Sequence, residues 1–74
     1  MEDYIISVNK IEELQTIKDI PALEIILEKA RRVIIGGAAV VLVREQVAGA
    51  PQRFETFTDE EEFKKYRERV MRYL

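Results

Sequence analysis

The side chains available for chemistry in this chain are carboxylates, amines, guanidinium groups, hydroxyls and phenols, because it contains no histidine and no cysteine. The usual zinc, haem, iron-sulfur and thiol chemistries therefore lack their ligands, and disulfide bonds cannot form. Ser7 has no histidine anywhere in the chain to act as its base. The scattered acids do not define the carboxylate pair that general acid-base work needs. No catalytic, cofactor-binding or metal-binding residue is assigned, and the chain is read as a non-enzyme without a cofactor.

Three local features could stand in for the missing chemistry. The acidic run Asp59-Glu60-Glu61-Glu62 offers oxygen ligands, but it lacks the alternating spacing and glycine of a calcium loop. Negative charge at a helix start is stabilising in its own right, so the run reads as capping, with Thr58 and Glu61 or Asp59 and Glu62 forming capping boxes. Gly36-Gly37 suggests a phosphate loop, but such loops lead from a strand into a helix, and here a helix leads into a strand.

The third feature is the basic cluster of Lys64, Lys65, Arg67, Arg69 and Arg72, interleaved with Tyr66 and Tyr73, which could track phosphates and stack bases. With the hairpin cations added, the candidate nucleic-acid contacts are Arg44, Arg53, Lys65, Arg69 and Arg72. The competing reading is a solvated helix face paired with itself, because Glu60 and Lys64, Glu61 and Lys65, and Glu68 and Arg72 all stand four residues apart in the favourable order. A net charge of -2 leaves no global electrostatic footprint for nucleic acid, which is therefore the alternative rather than the leading partner.

The periodicities then supply the elements. Tyr4 to Val8 is short, aromatic and β-branched, which predicts a strand. Asn9 with Glu12 resembles a capping box, and Val8, Ile11, Leu14 and Ile17 recur every third residue, so a helix is expected over residues 9–18. Asp19-Ile20-Pro21 ends that helix and starts another. In the second helix Leu23, Ile26, Leu27, Ala30, Val33 and Ile34 form an apolar stripe opposite Glu24, Glu28, Arg31 and Arg32, with Ile25 on the polar side. Gly36 is the expected left-handed cap.

Residues 38–47 and 52–58 form a predicted hairpin around Ala48-Gly49-Ala50-Pro51, with Arg44 placed opposite Glu55. Val40 to Val43 is apolar on both faces, so this strand should be central. A last helix follows, with Phe63, Tyr66, Val70, Tyr73 and Leu74 on one face. The fold class is α+β: one domain over residues 1–74, ordered β-α-α-β-β-α, with a three-stranded mixed or antiparallel sheet covered by helices.

At 74 residues and 47% apolar composition the chain can hold one small core. A core of this size contributes roughly 3 to 5 kcal/mol, and with disulfides and the usual metals excluded, self-association is the common remaining support. An acidic start without an apolar leader argues against export, and the most apolar stretch, residues 33–43, falls short of the roughly 20 residues of a membrane span. A cytoplasmic, soluble protein without a membrane partner is expected. The function expected is a non-enzymatic protein-interaction module, as a homodimer or with another protein, with Ile25, Arg32, Gln46 and Val47 as candidate interface residues.

Tyr4-Ile5-Ile6-Ser7-Val8, Glu12-Glu13-Leu14, Asp19-Ile20-Pro21-Ala22-Leu23, Leu42-Val43-Arg44-Glu45 and Tyr66-Arg67-Glu68-Arg69-Val70 together resemble a set of small uncharacterised bacterial proteins of the Bacteroidetes type. That resemblance implies no activity. From the second helix onward, the helix, Gly36-Gly37, hairpin and Phe57-Thr58 before an amphipathic helix are also similar in outline to the phage head-tail joining family, which implies a structural role. The additional strand and helix at the start depart from that pattern.

Overall fold

The computed structural model describes residues 2–46, 49–50 and 52–74. Its elements are β1 (Tyr4–Ser7), α1 (Val8–Thr16), α2 (Ile20–Ile35), β2 (Val40–Arg44), β3 (Gln52–Phe57) and α3 (Glu60–Arg72). The order is the expected β-α-α-β-β-α, and the sheet is mixed. β2 is central: it runs parallel to β1 and antiparallel to β3. A parallel pair cannot be closed by a tight turn, and α1 with α2 form the crossover that joins its two strands. Val47 and the expected hairpin-loop residues Ala48 and Pro51 lie outside the described residues.

Helix α1 begins one residue earlier than its spacing predicts. Ser7 is the N-cap, its hydroxyl accepting from the Lys10 amide at 3.4 Å. Val8 is therefore helical rather than the last strand residue, and Asn9 is released from capping. Its amide instead brackets the Glu45 backbone, accepting from the Glu45 N–H at 3.0 Å and donating to its carbonyl at 3.3 Å. Asp19 and Asp59 cap α2 and α3, each accepting from a first-turn amide.

Both α1 and α2 end in the same hydrogen-bonded motif. After α2, the Gly37 amide donates to Ile34 and the Ala38 amide to Val33; after α1, Lys18 donates to Gln15 and Asp19 to Leu14. This pattern places a left-handed residue one beyond the cap. The positive φ accordingly falls on Gly37 (96°) and Lys18 (56°), while Gly36, the residue expected to adopt it, is right-handed at φ −74°.

All three helices lie against one side of the sheet. Ile6, Val40, Leu42 and Phe57 alternate onto that side and share one buried cluster with Ile11, Leu14, Leu23, Leu27, Ala30, Phe63, Tyr66 and Val70. Phe57 is the one buried residue of β3, and its ring meets those of Phe63 and Tyr66 at centroid distances of 5.5 Å. Gln15 on α1 donates to the Val70 carbonyl on α3 at 3.1 Å, closing the helical layer. Ile17 and Tyr73, both expected on buried faces, are exposed, because each is the C-cap of its helix, past the last turn that packs on the core. Among the described residues no helix is long and apolar enough to cross a membrane.

The hairpin register differs from expectation. Leu42, not Arg44, stands opposite Glu55, and Arg44 stands opposite Gln52. An irregularity between Leu42 and Val43 leaves Phe54 as the extra residue of a bulge. Freed from the cross-strand pair, Arg44 reaches α1 and binds Glu12 at 3.0 Å.

Candidate functional site

The second helix is amphipathic by construction. Leu23, Leu27, Ala30 and Ile34 recur at three and four residues and are buried against the sheet. At about 100° per residue, the opposite side of the helix is occupied by Pro21, Ile25, Glu28, Lys29, Arg32 and Ile35. Ile25 is 70% exposed and Ile35 57% exposed, so two large aliphatic side chains stand in water on the face turned away from the core. A shallow trough of about 590 Å³ lies here, lined by Pro21, Glu24, Ile25, Glu28, Lys29 and Arg32.

Two of the expected interface residues, Ile25 and Arg32, are brought together on this trough. They are seven residues apart, so they lie only about 20° from one another around the helix. Gln46 is elsewhere: its side chain donates to Gln52 at 2.9 Å across the hairpin. Val47 is not among the described residues.

The charges on this face are organised around Glu28. Arg31 grips it through two nitrogens at 2.8 and 3.1 Å, and the Arg32 Nε stands 3.4 Å away. Hydrogen bonding from Arg31 first, then the positive charges of Arg31 and Arg32, pull the Glu28 carboxyl down to about 2. Arg31 also extends to Glu60 at 3.5 Å, pinning α3 to α2. Glu60 is thus engaged across helices instead of with Lys64. Glu61 with Lys65 and Glu68 with Arg72, the other expected pairs, are likewise absent; Lys65 stands 3.7 Å from Glu62, one turn back.

Of the residues named for nucleic-acid contact, Lys65, Arg69 and Arg72 fall on one face of α3, four and three residues apart, while Arg44 and Arg53 stand on β2 and β3. Arg44 is held by Glu12 and Lys65 by Glu62, while Arg69 lies over the Tyr66 ring at 5.7 Å. Arg53 is on β3, opposite Val43, and Arg72 ends α3. Two further grooves flank α3. One, of about 400 Å³, runs between α2 and α3 over Phe63; the other, of about 220 Å³, runs between α1 and α3 past Tyr66. Burial pushes the Tyr66 phenol up to about 12, against the opposing pull of Arg69. Among the described residues, the far side of the sheet, with Ile5, Val41, Val43 and Thr56, carries no helix; Ile5 is exposed there, and Val41 is covered while standing outside the main cluster.

No family model, curated protein or solved structure matches this chain. The surface is accordingly read from its own geometry. Glu28 and Ile35 were not among the residues expected at an interface. The signal that finds them is the 3-4-3 spacing of positions 25, 28, 32 and 35, a second helical stripe opposite the core stripe.

Proposed function

We propose that this chain is a protein-interaction module that works through the solvent face of α2. The observation that supports the reading is Ile25: an aliphatic side chain directed away from the core, on the outer half of the helix that also carries Ile35, and framed by Glu28, Lys29 and Arg32. Large exposed aliphatic side chains set beside charged ones are the usual material of a binding surface. The helix that presents it is held along its other face by four buried side chains, so little conformational freedom is lost on binding.

A photo-cross-linking amino acid placed at position 25 in the intact chain, expressed in its own cells, tests this reading. The expected result is one discrete adduct whose cross-linked peptide can be sequenced, absent when the same group is placed at the exposed position 68 on α3. No adduct, or the same smear from both positions, overturns it.

A further inference from the structure

We infer that the partner of the α2 face is a second copy of this chain, bound with its α2 antiparallel across a two-fold axis that meets the outer face of the helix at the level of residue 30. The inference rests on the interaction reading above and adds its occupant. Positions 25, 28, 32 and 35 follow the 3-4-3 spacing of a helix-helix seam, and the order of residue types along them is self-complementary when reversed. Turned about that level, Ile25 meets Ile35 of the second copy, Glu28 meets Arg32, Arg32 meets Glu28, and Ile35 meets Ile25. Within these four positions each apolar side chain finds an apolar one and each charge its opposite. A parallel pairing would set Glu28 on Glu28 and Arg32 on Arg32, which like-charge repulsion disfavours.

The existing ion pairs leave room for this exchange. Glu28 is gripped by Arg31 through two short hydrogen bonds, whereas Arg32 holds it by the longer 3.4 Å approach with a side chain 77% exposed. Arg32 is therefore the guanidinium able to turn outward to the second copy while Arg31 keeps Glu28 ionised and in place. The isologous arrangement is what a two-fold dimer requires, since the same patch serves both partners. Ten residues of helix separate Ile25 from Ile35, about 15 Å, so the seam falls below a standard interface. The dimer should be weak and reversible, with dissociation in the micromolar range or above.

Charge reversal tests both partner and orientation. Sedimentation equilibrium of the full chain, from about 10 μM to 1 mM, a range that brackets such an affinity, should show the mass rising toward two copies. Ile25→Asp should remain monomeric with an unchanged circular-dichroism spectrum. Glu28→Arg alone sets Arg against Arg, and Arg32→Glu alone sets Glu against Glu, so each should dimerise at least about tenfold more weakly. Mixed in equal amounts, the two variants should recover a one-to-one heterodimer, because both crossed pairs are again opposite in sign.

A wild-type chain that stays monomeric at the highest concentration overturns the proposal, as does a dimer indifferent to Ile25→Asp. Failure of the mixture to recover association overturns the antiparallel seam. The position-25 cross-link separates these failures from failure of the interaction reading: a monomeric chain that still gives a discrete adduct with another protein has lost only the second copy as partner. No adduct in addition removes both.

Discussion

At the residue scale, Glu28 is the point through which the α2 surface is organised. Its carboxyl is drawn from an ordinary 4.5 down to about 2 by the Arg31 hydrogen bonds and by the two neighbouring guanidinium charges. A carboxyl whose pKa is lower in the folded chain adds stability above its unfolded value and loses it as pH falls through its folded value. The contribution should therefore be full above about pH 4.5, decline from there, and be gone below about pH 2. Because the side chain is solvent-facing, screening keeps the effect small. Urea midpoints of the wild type and Glu28→Gln, compared at pH 6, 4 and 2, check this: the wild type should lead at pH 6 and the two should meet at pH 2. The mutual spacing of Glu28 with Arg31 and Arg32 is visible in the sequence; that Arg31 would reach on to Glu60 is not, since those residues are twenty-nine apart and meet only when α3 docks.

At the scale of elements, the helix ends carry the most specific geometry. The same terminating motif closes α1 on Lys18 and α2 on Gly37, so the fold pays a left-handed penalty at the first and none at the second. Lys18→Gly should stabilise the chain and Gly37→Ala destabilise it, each by about 1 kcal/mol, while Gly36→Ala, at a right-handed position, should not share that penalty. Thermal or urea unfolding of the three variants decides this, and equal losses at Gly36 and Gly37 would contradict the assignment. Two adjacent glycines announce a helix stop but not which one turns left-handed, because that depends on where the last helical hydrogen bond closes. No glycine marks Lys18: the left-handed position there follows from where the last turn of α1 closes, with Lys18 donating to Gln15 and Asp19 to Leu14.

At the scale of the whole molecule, one thin arrangement of a sheet and a single helical layer places nearly all apolar burial in one cluster. Leu42, fully buried on the central strand, faces the helices. Leu42→Ala should cost about 2 to 5 kcal/mol. That is comparable with the roughly 3 to 5 kcal/mol such a small core supplies, so the cooperative urea transition should be lost or shifted to very low denaturant. Ile5→Ala, on the uncovered side of the sheet, should change stability by under about 1 kcal/mol. The same shape explains why association is physically reasonable here: with a single layer over the sheet, α2's outer face is the outside of the molecule, and any apolar residue on it meets solvent or a partner.

Local chemistry determined the elements, their order and the absence of histidine and cysteine chemistry. Helix stripes, caps, proline and glycine act over a few residues and are written directly in the chain. The core stripe of α2 and the outward position of Ile25 follow from the same 3.6-residue period. Tertiary structure decided what periodicity cannot carry. It made β1 parallel to β2, a pairing of strands more than thirty residues apart. It shifted the hairpin through a bulge at Phe54, so that Arg44 left Glu55 for Glu12. It put every helix on one side of the sheet, and so turned Ile25, Glu28, Arg32 and Ile35 from a sequence spacing into an exposed surface.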